Sequence, residues 1–392
     1  MSYLMHGRAP GEEVLVGPQQ RAWVEINRGA ITHNAACLKH SLGPGCGLMA
    51  VVKADGYGHG AITVAEAALA GGASSFGVAT LAEAIELRQA GITAPILVLG
   101  NLHQPEEFRC CLHWRLMPTL SGLDQGLICS QVGAAGGRPL EAHLKLDTGM
   151  ARLGVAWEQG AQLLESLSAL EGLKVQGVYS HLADADQAEG GLTRQQQQRF
   201  EGVLRRLQDL DLQPGLRHLA NSAGTLSDRS LHYDLVRVGL ALYGHAPAPH
   251  LAQSLPLQPA MAVRARVTLL RDVPAGIGVS YGHRHVTSRP SRLAVLGIGY
   301  ADGVSRLLSG RLQVLALGQR LPQVGSITMD QLVVDATALP ELEVGSVVTL
   351  LGESEGDQIG PETWGEICGT IPWEVLCGFK HRLPRLPSRG GH

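Results

Sequence analysis

Met49-Ala50-Val51-Val52-Lys53-Ala54-Asp55-Gly56-Tyr57-Gly58-His59-Gly60 is an apolar run that ends in a lysine and then breaks into glycines. Small and apolar residues without alternation describe a strand buried on both faces, as in a parallel sheet covered by helices. Lys53 ends that strand, so its amine emerges half shielded from water. Desolvation favours the neutral amine, the state that attacks a carbonyl to form a Schiff base. A lysine that only caps a strand at the surface reads the same way in this window, so the rest of the chain has to decide.

Outward from this run the same texture repeats. Short apolar stretches at 48–53, 75–79, 95–99, 116–119, 142–147, 175–181, 216–220 and 234–240 alternate with helical patterns such as 61–70, 81–90, 104–113, 157–167 and 193–210. Eight strands alternating with helices over roughly 220 residues predict an α/β fold, an N-terminal (β/α)8, TIM-like barrel. From about residue 259 the runs at 263–270, 292–298, 312–317, 331–334 and 346–351 are β-rich, with one helix near 361–370 between them. They predict a C-terminal, mainly β domain. The expected organisation is an extension over 1–20, the barrel over 21–257 and the β domain over 258–392.

Of 392 residues, 45% are hydrophobic and 17% charged, which describes a globular protein with a large core. The net charge of -3, with no basic patch interleaved with aromatics, argues against nucleic acid as a partner. Seven cysteines without a C-x-x-C pair point to a reducing compartment, and to neither a disulfide framework nor a metal site. Pro10, Gly11, Glu12 and Glu13 stand where a signal peptide would need an apolar core. No run of about 18 apolar residues could span a bilayer. The expected setting is the cytoplasm, without a membrane partner.

In such a barrel the active site lies at the C-terminal ends of the strands. The first strand ends at Lys53, the fifth holds Lys145 and leads into Asp147-Thr148-Gly149-Met150-Ala151-Arg152, and the sixth ends at Ser180-His181. The seventh ends at Asn221-Ser222-Ala223-Gly224, and the eighth carries Arg237 before Gly239-Leu240. Each has an ordinary explanation: His181 as a structural histidine, Arg237 in a packing ion pair, Ser222 as a helix N-cap. Their coincidence on one rim is harder to explain that way. Ser222 would open a short helix whose N–H groups and hydroxyl can hold a phosphate, and Gly239 lets backbone approach closely. The β domain adds Val279-Ser280-Tyr281-Gly282-His283 and Gly325-Ser326-Ile327-Thr328-Met329-Asp330.

Four segments, in order, resemble the alanine racemases, bacterial pyridoxal-phosphate enzymes with a barrel and a C-terminal β domain. They are Val51 to Gly60; Asp147 to Met150 with Arg152-Leu153-Gly154; Val236-Arg237-Val238-Gly239 leading to Leu242-Tyr243-Gly244; and Ser280-Tyr281-Gly282. The resemblance covers about residues 21–386. It implies that the barrel binds pyridoxal 5'-phosphate, that Lys53 links to it, and that Tyr281 is a second catalytic base. Racemisation removes a Cα proton from one face and returns one to the other, and one rigidly held base serves both poorly. A tyrosine's ordinary pKa of about 10 makes a poor base at neutral pH, so the resemblance places His181 and Arg237 in a polar chain behind Tyr281.

By the same resemblance Arg237 faces the pyridine nitrogen, and Tyr57, Ser222, Gly239 and Leu240 hold the phosphate, with Asn221 beside them. Arg152 and the backbone of Met329 bind the substrate carboxylate, with Arg152 also near the cofactor's phenolic oxygen, and Lys145 matches a lysine that is carbamylated in many relatives. One departure is Trp373 in Pro372-Trp373-Glu374-Val375, where relatives usually have tyrosine. Indole donates a single hydrogen bond and is bulkier, which leaves cofactor contact and simple packing both open. The implied partners are alanine and a second copy of the chain, in a homodimer with shared active sites that supplies D-alanine for peptidoglycan. Two rivals sit on the same barrel. A basic amino-acid decarboxylase would place an acid where this chain has Arg237, and a broad-specificity racemase is often exported. A third, a non-catalytic cofactor-binding protein, would lack Tyr281 and the β domain.

Overall fold

The structure, a computed structural model, describes residues 20–379 and 381–388, so all but the last residue of the expected N-terminal extension lies outside the described residues. The chain forms two compact units. One is Glu25–Met261 with Pro372–Gly378 and the stretch from Arg385; the other runs to Val24 and takes up Ala262–Ile371 and Phe379–Pro384.

The first unit is the α/β barrel that the alternation predicts. Its strands are Gly47–Val51, Ser75–Val78, Ile96–Asn101, Met117–Leu120, Leu140–Asp147, Leu173–Tyr179, Leu216–His218 and Leu235–Val238. Each pairs in parallel with the next through the seventh, and the eighth pairs with the first, Leu235 opposite Gly47 and Val238 opposite Ala50. Between the seventh and eighth, Asp234 N–H donates to Arg217 O and Arg237 N–H to Ala220 O, both at 3.0 Å. The ring is thereby nearly closed. The first, second and eighth strands are buried along almost their whole length, as continuous apolar runs require.

Two barrel helices, Arg28–Ser41 and Leu123–Ala135, are absent from the sequence expectations. The second buries Gln125, Gly126, Cys129, Val132 and Gly133, so no apolar stripe marks it. Its glycines serve packing: a Cβ at Gly133 would run into the carbonyl of Gly172.

In the second unit an antiparallel sheet runs in the order Asp357–Ile359, Val347–Ser354, Gln313–Ala316, Gln319–Val324, Leu332–Asp335, Ser291–Leu296, Met261–Val273. Met261–Val273 also pairs with Val347–Ser354, which curls the sheet into a closed ring. Gln319–Val324 escapes a sequence reading because Pro322 and exposed polar residues interrupt it. A separate two-stranded hairpin, Gly278–Val279 with His285–Val286, carries Tyr281 at its tip. Among the described residues no helix is long and apolar enough to cross a membrane.

Candidate active site

Lys53 follows the first strand by two residues and begins a turn of unusual hand. Ala54, Asp55, Gly56 and Tyr57 have φ of 53°, 54°, 59° and 52°. Left-handed backbone costs a non-glycine residue about 1–2 kcal/mol, and it persists only where the surroundings impose it. Here they do. Ala54 N–H donates to Glu83 Oε1 (2.7 Å), Asp55 Oδ1 accepts from Ala61 N–H (2.9 Å), and His59 Nδ1 lies 3.0 Å from the carbonyls of Gly56 and Tyr57. Tyr243 donates to Val51 O at 2.9 Å, and its ring is flanked by those of Tyr57 (4.8 Å) and His59 (4.5 Å).

Tyr57 is thereby delivered, buried, against the end of the eighth strand. A Cβ on Gly239 would stand 2.5 Å from Tyr57 Oη, so any larger residue there would force the strand end or Tyr57 to move. Ser222 Oγ accepts from Gly239 N–H at 3.0 Å, and Leu240 is fully buried beside it. Asn221 is the N-cap of Ser222–Ser227 and accepts from Gly224 N–H at 3.0 Å. Helix Pro372–Gly378, with half-buried Trp373, packs on the Lys53 turn, where a Cβ on Gly58 would meet Leu376 O at 2.5 Å.

Arg237 is 4% exposed and is the centre of the rim. Its terminal nitrogens donate to the carbonyls of Ser180 (2.6 Å), His218 (3.1 Å) and Leu219 (3.1 Å) and face Nδ1 of His181 and of His218, each at 3.2 Å. A guanidinium only donates, so both imidazoles accept at Nδ1. His218 Nε2 lies 2.9 Å from His143 Nδ1, which continues the chain inward. Burial and then the Arg237 charge hold His181 well below the ordinary histidine range. Burial, His143 and Arg237 do the same to His218, and burial with Arg237 lowers His143 to about 4. Burial lowers Arg237 itself to about 10, so it stays charged at neutral pH.

Tyr179 forms the floor beneath this network. Its ring stacks on His218 at 4.6 Å, with the Arg237 guanidinium and the Lys145 ammonium 5.0 and 5.4 Å from its centroid. Burial, with Arg237 and Arg152 adding to it against Asp147, lowers Lys145 to about 8.

Asp147 accepts from the backbone N–H groups of Gly149 (2.9 Å), Met150 (2.9 Å) and Ala151 (3.1 Å), which shapes the loop that presents exposed Arg152. Burial pulls its carboxyl upward, but the three N–H bonds outweigh that and hold it low. A small cleft is lined by Lys145, Asp147, Met150, Arg152, Ser180 and His181. Fully buried Gln196 fastens its walls: Nε2 donates to His181 O (2.9 Å) and Thr148 Oγ1 (3.3 Å), and Oε1 accepts from Ala183 N–H (2.8 Å).

The structure thus brings Lys145, Arg152, His181 and Arg237 together and sets Tyr57, Asn221, Ser222, Gly239 and Leu240 together. Tyr281 and Met329 belong to the second unit, 74% and 52% exposed. Ser280 Oγ donates to Ser326 O (2.7 Å), and Ser326 Oγ donates back to Tyr281 O (2.9 Å). The carbonyl of Met329 accepts from Ala301 N–H at 3.0 Å. His143, His218, Tyr179 and Gln196 were missed by the sequence reading. The first was detectable: His143 lies two residues before Lys145 on an apolar strand, hence on the same face.

A nearly closed parallel barrel whose polar side chains gather at one rim defines a barrel enzyme. Family models described as "Alanine racemase, N-terminal domain" and "Alanine racemase, C-terminal domain" match residues 26–247 and 260–387. Over 95% of this chain and 97% of the relative, the sequence is 56% identical to the alanine racemase of Prochlorococcus marinus. The crystal structure of alanine racemase from D-cycloserine-producing Streptomyces lavendulae superposes with a TM-score of 0.89 at 37% identity, covering 95% of this chain and 98% of that one. That of Bartonella henselae alanine racemase, with covalently bound pyridoxal phosphate, gives 0.83 at 32% identity, covering 94% and 99%. The chain belongs to the alanine racemase family, and its reaction is an isomerisation.

Proposed function

We propose that this chain interconverts L- and D-alanine with pyridoxal 5'-phosphate and two proton-transferring side chains, Lys53 and Tyr281, to supply D-alanine for peptidoglycan. The observation that carries the reading is Arg237. It is buried and charged, it is satisfied by carbonyls and two neutral imidazoles, and among the described residues no carboxylate pairs with it. A permanent cation at the pyridine nitrogen would keep that nitrogen unprotonated. Decarboxylation would instead call for an acid there.

The residues fit the cofactor. The cradle of Tyr57, Ser222 and Gly239, which a Cβ on Gly239 would fill, suits an anion the size of phosphate. Tyr57, Ser222, Gly239 and Leu240 would hold that end, Lys53 would form the covalent link, and a relative in this family binds the same group covalently. When bound, the group supplies the electron sink that acidifies the α-carbon. Lys53 and Tyr281 then each move a proton on opposite faces.

Arg152 and the Met329 backbone would orient the substrate carboxylate. Lys145, lowered to about 8, has an appreciable neutral fraction near neutral pH. That form could attack carbon dioxide through Nζ and release one N–H proton to solvent, becoming a carbamate anion that positions Arg152. Trp373, on the helix against the Lys53 turn, would set the width of the pocket. Tyr281 would serve the barrel of a second copy, in a homodimer with shared sites.

The test is to supply the cofactor-loaded protein with L-alanine. D-alanine should accumulate without carbon dioxide, and Lys53→Ala should abolish the absorbance of the lysine-linked cofactor. Carbon dioxide release with no D-product would sink the reading.

A further inference from the structure

Within its own chain Tyr281 has little packing to fix it, since 74% of its surface is exposed there. A base that must meet one face of one carbon needs a defined position, because misplacement by about 1 Å costs on the order of a hundredfold. The backbone supplies that position at a cost. Ser280 has φ 61° and ψ -169°, a region nearly confined to glycine, and such backbone persists only where the surroundings impose it.

The neighbouring Gly325-Ser326 segment accounts for the strain. Ser280 Oγ donates to Ser326 O and Ser326 Oγ donates to Tyr281 O, so one residue grips the chain on both sides of the Tyr281 Cα. Ser326 is 2% exposed, which makes its two bonds hard to replace with water. Gly325, at φ 71°, lets the hairpin sit closer still: a Cβ there would stand 2.6 Å from Val279 O. Every element of this seat lies in the same unit as Tyr281.

We propose that Ser326 is a positioning residue for Tyr281, holding the hairpin so that the phenol meets one face of the substrate α-carbon. This rests on the reading of Tyr281 as the second base. It predicts a one-sided defect: loss of the seat impairs proton transfer on the Tyr281 face and spares the Lys53 face. A purely structural serine would affect both faces alike.

The test follows Cα-hydrogen exchange of L- and of D-alanine in deuterated solvent with the cofactor-loaded enzyme. Tyr281→Phe identifies the enantiomer whose proton Tyr281 takes. Ser326→Ala should slow exchange of that enantiomer by about tenfold or more and leave the other within about twofold, whereas Ser326→Thr, which keeps the hydroxyl, should stay close to the parent. Ser280→Ala, which removes the other half of the clasp, should show the same asymmetry. In the cofactor-free chain, amide hydrogen exchange of residues 278–286 should rise in Ser326→Ala.

Equal slowing of both enantiomers, or none, together with a one-sided Tyr281→Phe, overturns the role of Ser326 and leaves the base assignment standing. A two-sided Tyr281→Phe overturns the base assignment and the role of Ser326 with it.

Discussion

Arg237 Nη1 lies 3.2 Å from His218 Nδ1, and because a guanidinium can only donate, His218 is held with its proton on Nε2. That proton points at His143 Nδ1, 2.9 Å away, so His143 in turn carries its own on Nε2. One arginine thus sets the tautomers of two buried histidines, which burial above all, with the Arg237 charge adding to it, keeps neutral.

Neutral buried histidines make stability depend on pH. His143, lowered by burial and by Arg237, titrates near 4 in the folded chain against an ordinary 6.5. Between those values the unfolded chain binds a proton that the folded one refuses, so stability is complete above about 6.5 and falls as pH drops towards 4. His218 and His181 shift in the same direction. The melting temperature should therefore begin to fall below about pH 6.5, before most carboxylates titrate. A melting temperature flat from pH 7 to 5 would contradict the neutral assignment.

The contact between Gly239 and Tyr57 gives a second expectation. In Gly239→Ala the new methyl would stand 2.5 Å from Tyr57 Oη, so the strand end or the tyrosine must move. Overpacking of this kind costs about 1–3 kcal/mol, and 1.4 kcal/mol is a factor of ten in affinity. Spectroscopic titration with pyridoxal phosphate should show binding weakened by about tenfold or more in a chain that still folds. Affinity within twofold of the parent would place the phosphate elsewhere.

If Arg152 orients the substrate carboxylate, Gln196 bears on the substrate rather than the cofactor. It bonds the segments that follow the fifth and sixth strands, at Thr148, His181 and Ala183, while Arg152 extends from the first of these. Gln196→Ala should destabilise the chain by about 1–3 kcal/mol, the cost of stranding buried partners. It should also raise the KM for alanine several-fold more than it weakens cofactor binding. Equal effects on both would assign it to the fold alone.

What the sequence conveyed of this site follows from where the information lies. Lys53, Lys145, His181 and Arg237 were legible because apolar strands end at or beside them, and a parallel barrel collects those ends on one rim. His218 and Gln196 were not. His218 sits on a strand of only three residues, too short for a period, and Gln196 looked like one glutamine among Gln195 to Gln198. Its role depends on helix Gly191–Asp209 passing behind both segments, which only the tertiary structure reveals. The left-handed turn was hidden for a similar reason: Asp55 tolerates positive φ, but no local propensity favours it at Ala54 and Tyr57, and bonds to Glu83, Ala61 and His59 impose it.

The sharing of sites between two copies is open to a direct trial. If Lys53 of one chain works with Tyr281 of another, Lys53→Ala and Tyr281→Ala chains are each inactive alone, yet a mixed dimer contains one site with both residues intact. Racemisation should reappear on mixing after dissociation and reassociation, and approach about a quarter of the parent rate at equal proportions if half the dimers are mixed and each holds one working site. Heterodimers must be shown independently, for example by two affinity tags of different size. Demonstrated heterodimers without recovered activity would mean that Lys53 and Tyr281 act within one chain.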